Sequence, residues 1–160
     1  MVKQMKSSLR FLLFLSLICW LGGIIFFSLI AAPVTFKTME YLKDSQPFAG
    51  LIIGRMLFPL HALGELCAVI FLIVSAILFR SITRIQQFLI AIMLGLTLFS
   101  QYWVTPRIED LRFVVVDNKD AAKRAEFDKL HNMSVALEGG VLLLGLGVVW
   151  LTIKETERAG

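Results

Sequence analysis

The chain has 160 residues, which fits one domain. Hydrophobic residues make up 58% of it and charged residues 18%, and the mean hydropathy is +0.79. A soluble domain of this size could not keep so much apolar surface away from water, which excludes that class. The net charge of +4 does not indicate nucleic acid, because the basic residues flank apolar runs instead of interleaving with exposed aromatics.

Four apolar runs predict four membrane spans, at residues 11–33, 56–79, 87–105 and 130–153. Each is long enough to cross about 30 Å of hydrocarbon as a helix. The apolar core of the first run is too long for a signal peptide, so we interpret it as a signal anchor. The sequence therefore predicts one all-α membrane domain over residues 1–160, a polytopic four-helix transmembrane bundle.

Basic residues predict the orientation of this bundle. They are dense in three short segments on one side, namely the N-terminal tail, the turn at residues 80–86 and the C-terminal tail. We therefore predict a multi-pass protein of the cell membrane with both termini in the cytoplasm. The connections at residues 34–55 and 105–129 are then non-cytoplasmic, and their composition predicts that they are partly helical.

The two halves of the chain repeat the same order of features. A span ends near a proline, a polar stretch follows, and the next span carries a histidine and then a glutamate. This order predicts two tandem helical hairpins related by a pseudo-two-fold axis along the membrane normal, although any two helical hairpins look somewhat alike. The matched residues are Pro33, His61 and Glu65 in the first half and Pro106, His131 and Glu138 in the second.

Prolines and polar residues predict where the helices begin and end. Pro33 and Pro106 should bend or end the first and third helices at the same face of the bundle. Ser45 is a plausible N-cap for the helix that becomes the second span. Asp117 or Asn118 should cap the helix that becomes the fourth.

The candidate functional site consists of ionisable residues inside the second and fourth spans. His61 and Glu65 share one helix face, and so do His131 and Glu138. If the halves are symmetric, two imidazoles and two carboxylates converge. Such a set could bind a transition metal through all four residues, hold a haem iron between His61 and His131, or relay protons.

A purely structural interpretation of these residues stands beside the functional one. Each histidine could lie at headgroup level, and each glutamic acid could be protonated and hydrogen-bonded within the bundle. Gln101, Tyr102 and Trp103 fit an aromatic belt, with a polar lining of the site as the alternative. The pair Gly50 and Gly54 forms a GxxxG at the edge of a span, which favours packing within the monomer over a dimer contact.

The order of several short motifs resembles the transmembrane protein 205-like family, which is largely uncharacterised. The resemblance implies a four-helix membrane fold and a loose link to transport or metals. Glu138 stands where the family would have a more neutral polar residue, so the acidic pair is not implied for the family. The motifs are Gly22-Gly23, Ala31-Ala32-Pro33, Phe36, Ala49-Gly50, the region of His61, and Phe127-x-x-Leu130-His131-x-x-Ser134.

The sequence contains no nucleophile motif, phosphate-binding loop or dinucleotide fingerprint, so our default prediction is a protein that is not an enzyme. The leading functional prediction is a metal or haem site in the membrane, with the cofactor itself left open. One alternative is a structural subunit of a larger membrane complex. Another is an exporter of small solutes or metal ions, for which four helices favour a homodimer.

Overall fold

The computed structural model describes residues 2–41, 46–77, 84–117 and 120–159. Within those ranges all regular structure is helical. Two helical segments of π type interrupt otherwise α-helical runs. In chain order the elements are α1 (Val2–Phe26), the first π segment (Phe27–Ala31), α2 (Ala32–Glu40), α3 (Gln46–Ile77), α4 (Arg84–Phe99), the second π segment (Ser100–Val104), α5 (Thr105–Asp117) and α6 (Ala121–Ala159).

Four of the described helical runs are long and apolar enough to cross a membrane, which confirms the all-α four-helix transmembrane bundle. Each exceeds the roughly 20 residues that a bilayer requires, so every helix continues beyond the hydrocarbon. We number these runs span 1 (Ser7–Glu40), span 2 (Phe48–Ile77), span 3 (Arg84–Arg112) and span 4 (Ala121–Lys154).

The four spans form a ring in which each packs on its two neighbours in sequence, and span 4 closes the ring on span 1. The main core lies at the centre of this ring and includes Trp20, Phe71 and Met93. Large apolar side chains also point outward from all four spans, as Phe11, Phe58, Phe88 and Leu143 illustrate. Because lipid is the only solvent that suits such a surface, the chain is a multi-pass membrane protein.

Two pairs of an aromatic and a basic residue mark opposite ends of the bundle. The Arg107 guanidinium lies 3.8 Å from the centre of the Trp103 ring. The Lys154 ammonium lies 5.3 Å from the centre of the Trp150 ring. Tryptophan concentrates at membrane interfaces, so these pairs indicate the two boundaries of the hydrocarbon. We call the end that carries Trp103 the α2–α5 end and the other the terminal end.

The prolines of spans 1 and 3 lie inside continuous helices, so the prediction that they could end those helices is wrong. A proline has no N–H and its ring clashes with the carbonyl four residues earlier. For Pro33 and Pro106 those carbonyls fall within the two π segments. Each π segment shifts the local bonding to the fifth residue back, as in the bond from the Ala32 N–H to the Phe27 carbonyl. The helix thereby accommodates its proline and continues.

The start of α6 differs from the prediction. Asp117 belongs to α5, and Asn118 lies outside the described residues, as does Ser45 of the first half. Asp120 caps the helix instead, because its Oδ1 accepts hydrogen bonds from the backbone N–H groups of Ala122 at 2.9 Å and Lys123 at 3.4 Å. The cap is an ordinary aspartate N-cap displaced by a few residues.

Glycines bring span 1 close to both of its neighbours. A Cβ placed on Gly64 would lie 2.4 Å from Nε1 of Trp20, and one on Gly145 would lie 2.2 Å from Cδ2 of Leu21. Gly64 belongs to span 2 and Gly145 to span 4. Glycine therefore permits close packing of helices at these two positions, whereas a Cβ on Gly147 would have no neighbour within 4 Å.

Candidate functional site

A contact between His61 and Glu138 joins spans 2 and 4 across the bundle. The His61 Nε2 pairs with the Glu138 Oε1, and the His61 side chain is only 3% exposed. The helical repeat explains why His61 points inward, because Leu57 and Ala68 lie on the same buried stripe of α3. The contact is a charge-assisted or neutral hydrogen bond, depending on where the proton lies.

The structure brings together two of the four predicted ligands. His131 is exposed and stacks on Phe127, with 6.2 Å between the ring centres. It precedes Glu138 by seven residues, or about 10 Å along the helix axis. Among the residues that the structure describes, no three His, Cys, Asp or Glu side chains are arranged to hold a metal ion. Metal or haem binding by His61, Glu65, His131 and Glu138 therefore stays a prediction.

Several buried polar atoms of spans 2 and 3 have no hydrogen-bond partner in the described part of the chain. The second π segment supplies some of them, and it packs against α6, which carries Glu138. Buried polar groups are nearly always hydrogen-bonded, so these atoms offer unusual hydrogen-bonding capacity inside the bundle. The atoms are His61 Nδ1, Glu65 Oε1, Ser100 Oγ, Gln101 Oε1 and Thr105 Oγ1.

Residues 101–103 of span 3 differ in which of the two predicted roles they fit, the polar lining of the site or the aromatic belt. Gln101 is buried, with 6% of its surface exposed, and contributes to the polar interior. Tyr102 and Trp103 face outward at 65% and 40% exposure, as an aromatic belt requires. A π segment has more residues per turn than an α-helix, so the faces of these side chains could not be assigned from a 3.6-residue period.

A cleft of about 700 Å³ lies beside the His61–Glu138 contact. Residues of span 1 and α3 form one wall, and residues of α5 and α6 form the other. Glu138 belongs both to this wall and to the contact with His61. Apolar side chains such as Ile24 and Leu142 dominate the lining, and a few polar groups interrupt it. Small-molecule sites in proteins have this composition and volumes of about 300–1,000 Å³.

The cleft is elongated along the membrane normal and open at its side. Its lining on α6 runs from Arg124 to Leu142, a rise of about 27 Å at 1.5 Å per residue. Spans 1 and 4 touch at Leu21 and Gly145, below the cleft on the side of the terminal end. Nearer the α2–α5 end, Phe36 and Val135 on the two walls are 42% and 59% exposed. The cleft therefore opens laterally between these spans.

Arg112 is a residue of the cleft that sequence reasoning missed. A Cβ on Gly50 would lie 1.8 Å from Nη1 of Arg112, so only glycine leaves room for the guanidinium there. A Cβ on Gly54 would lie 3.2 Å from Oε1 of Glu109 and 3.6 Å from Nη2 of Arg112. The two glycines of this GxxxG in α3 thus leave the space that the Arg112 side chain occupies. Gly50 and Arg112 are far apart in the sequence, and their contact follows only from the order in which the helices pack around the ring.

The comparison with known families covers most of the bundle. No curated protein and no solved structure matches the chain. Residues 15–115 match a family described as "Domain of unknown function (DUF4149)", and this match gives no evidence for the transmembrane protein 205-like family that the motifs resemble. The matched part contains His61, Glu65 and Arg112, while His131 and Glu138 follow it. Because more than half of the chain is matched, the protein belongs to this uncharacterised DUF4149 family.

Proposed function

We propose that this protein binds one amphiphilic molecule in the cleft between spans 1 and 4. The observation that carries the proposal is a cleft of about 700 Å³ whose apolar wall contains the carboxyl group of the buried His61–Glu138 pair. A cleft lined only by apolar groups would accept any acyl chain. A paired carboxyl group within the wall adds a fixed polar point that can orient a ligand.

The lateral opening supports a ligand that enters from the bilayer. Phe36 and Val135 border the opening and are partly exposed at a depth where lipid surrounds the protein. An amphiphile already in the membrane could enter between them without crossing water. Its apolar part would lie against side chains such as Ile24 and Leu142. In the bilayer, lipid tails already surround this apolar part. Moving it into the cleft therefore contributes the main favourable free energy of binding only where the side chains of the cleft pack against it more closely than lipid does.

The His61–Glu138 pair gives the cleft a rigid wall. His61 is held by α3 and Glu138 by α6, so their contact fixes the distance between spans 2 and 4 beside the ligand. Unlike an exposed surface pair, a pair this buried cannot separate without leaving an unpaired polar group in the bundle. The pair therefore positions this wall of the cleft beside the ligand.

Native mass spectrometry of the purified protein tests the proposal. We expect wild type to retain about one amphiphile per chain. Gly139 lines the cleft, and a Cβ added there meets nothing within 4 Å. Gly139→Leu should fill the cleft without a clash, and it also replaces glycine by a better helix former. We expect this variant to lose the ligand.

Gly147→Leu is the matched control, because Gly147 lies on the same helix, also has open space for a Cβ, and does not line the cleft. This variant should retain the ligand as wild type does. A wild type that carries no amphiphile, or equal retention in the two variants, would contradict the proposal.

The other predicted functions remain proposals beside this one. They are a metal or haem site, a structural subunit of a larger membrane complex, and a small-solute or metal-ion exporter that works as a homodimer. The orientation with both termini in the cytoplasm also remains a proposal, and so does the pseudo-two-fold axis. Binding in the cleft is compatible with each of these, since an exporter or a complex subunit can also hold a lipid.

A further inference from the structure

We infer that the α2–α5 end of the cleft binds the phosphate headgroup of a membrane lipid, with Arg112 and Arg124 as the recognition groups. This inference rests on the proposed function, because it assigns the ligand class of the same cleft. Both arginines line the cleft, and they lie at the opposite end from the apolar residues Ile24 and Leu142. A lipid has the same division between a charged end and an apolar end.

Arg112 is held in place before any ligand arrives. Its guanidinium lies where a Cβ of Gly50 would be, so the α3 backbone supports it directly. Its Nε is buried and has no hydrogen-bond partner. Among the described residues no carboxylate lies within salt-bridge distance of this arginine, but the Glu109 carboxylate borders the same glycine pair and is near enough to interact with its charge. A positioned arginine without a direct salt bridge keeps N–H donors available to a phosphate.

The depth of the two arginines matches that of lipid phosphates. Trp150 and Lys154 mark one boundary of the hydrocarbon on α6. About 20 residues back along the helix, near Leu130, lies the other boundary. Arg124 is six residues further, about 9 Å beyond the hydrocarbon, which is the level of the headgroups. On span 3 the interface pair is Trp103 and Arg107, and Arg112 follows Arg107 by five residues, about 8 Å, so it too lies beyond the hydrocarbon at the level of the headgroups.

The charges of the cleft favour an anion at this end. Arg112 and Arg124 are its charged groups near the headgroup level, and Glu138 lies deeper and is paired with His61. A phosphate group accepts hydrogen bonds from two guanidinium groups at once, which a neutral headgroup does not. The remaining length of the cleft, toward Leu142, then takes an acyl chain.

Competition between two lipids with identical acyl chains tests the inference. The protein in nanodiscs is offered phosphatidic acid and diacylglycerol, and native mass spectrometry measures the bound ratio. We expect a preference for phosphatidic acid of about tenfold or more, since charge-assisted hydrogen bonds each contribute at least one factor of ten. Gly50→Ala should abolish the preference, because its methyl group displaces the guanidinium while the charge remains.

Two further variants separate recognition from folding. Arg112→Gln should also lose the preference, because it removes the cation. Gly95→Ala adds a methyl group where nothing lies within 4 Å, and should keep the preference. Gly50→Ala adds a good helix former, so the unfolding midpoint should stay near that of wild type.

The outcomes distinguish this inference from the proposed function. Equal binding of the two lipids, lost in Gly139→Leu, would overturn phosphate recognition and leave amphiphile binding intact. A preference for phosphatidic acid that survives in both Gly50→Ala and Arg112→Gln would also overturn it. Binding of neither lipid would contradict both proposals. A preference for a free fatty acid over phosphatidic acid would replace phosphate by carboxylate as the recognised group and so contradict the inference as stated.

Discussion

The two histidines of this chain lie at positions that the sequence pattern predicts to be matched in two halves, yet their surroundings differ. His61 is 2% exposed and is paired with Glu138 of the other half. His131 is exposed, stacks on Phe127 and lines the cleft. Depth accounts for this difference, because His61 lies at the level of Glu138, whereas His131 lies seven residues, about 10 Å, nearer the α2–α5 end. Similar sequence features therefore do not imply equivalent environments.

The two π segments show the same contrast. Each ends two residues before a proline, so the helix accommodates its proline in the same way in spans 1 and 3. The first π segment has no buried residue, and its Phe27 lines the cleft. The second is buried at Ser100, Gln101 and Val104 and packs against α6. Local chemistry determines the π turn, while packing determines whether it faces lipid, a cleft or the core.

The histidine comparison is tested most strongly by alanine substitutions. His61→Ala leaves the Glu138 carboxyl group without its partner inside the bundle, so we expect a loss of about 3 kcal/mol in the free energy of unfolding. His131→Ala removes an exposed ring and should change that free energy by less than about 0.5 kcal/mol. Unfolding in mixed detergent micelles measures both. Equal losses in the two variants would refute the difference between the halves.

The interfaces of span 1 give the next largest effect. Gly64→Ala forces a methyl group toward the buried Trp20 ring, and we expect it to destabilise the bundle by about 1–3 kcal/mol. Gly22 lies on span 1 with no atom within 4 Å of an added Cβ, so Gly22→Ala should stabilise the helix by up to about 1 kcal/mol. The same unfolding assay compares the two. A stabilising Gly64→Ala would show that spans 1 and 2 do not pack as described.

The start of α6 provides a smaller effect within the second half. Asp120→Ala removes the acceptor for the N–H groups of Ala122 and Lys123, and should cost about 1 kcal/mol. Asp128→Ala is the control, because Asp128 is exposed within the same helix and caps nothing. Hydrogen exchange of the first turn of α6 reports the loss directly. Unchanged protection in Asp120→Ala would contradict this cap.

Zinc binding is the smallest expected effect and bears on the predicted metal site. His131 lies two helical turns from the His61–Glu138 contact. We therefore expect His131→Ala to change the zinc affinity by less than about twofold, as measured by titration calorimetry. A loss of about tenfold or more, equivalent to 1.4 kcal/mol, would instead support the site shared by both histidines.

The sequence alone predicts the four spans because length and hydropathy determine them. It also singles out His61 and Glu138, since ionisable groups in lipid are rare. It predicts a meeting of His and Glu side chains across the halves only through an assumed symmetry, and helical spacing does not say that His61 pairs with Glu138 while His131 stays apart. Arg112 was missed for the same reason. Its seat on Gly50 exists only once α5 packs against α3.

The central claim is that an amphiphile lies in the cleft between spans 1 and 4, and photo-crosslinking tests it most directly. The probe is a phosphatidic acid with a diazirine near the middle of one acyl chain, and mass spectrometry of the digested protein locates the labels. We predict labels concentrated in residues 24–36 of span 1 and 124–142 of span 4, and a marked decrease in Gly139→Leu. Labels spread equally over the lipid-facing residues of α4, such as Phe88, would contradict the claim.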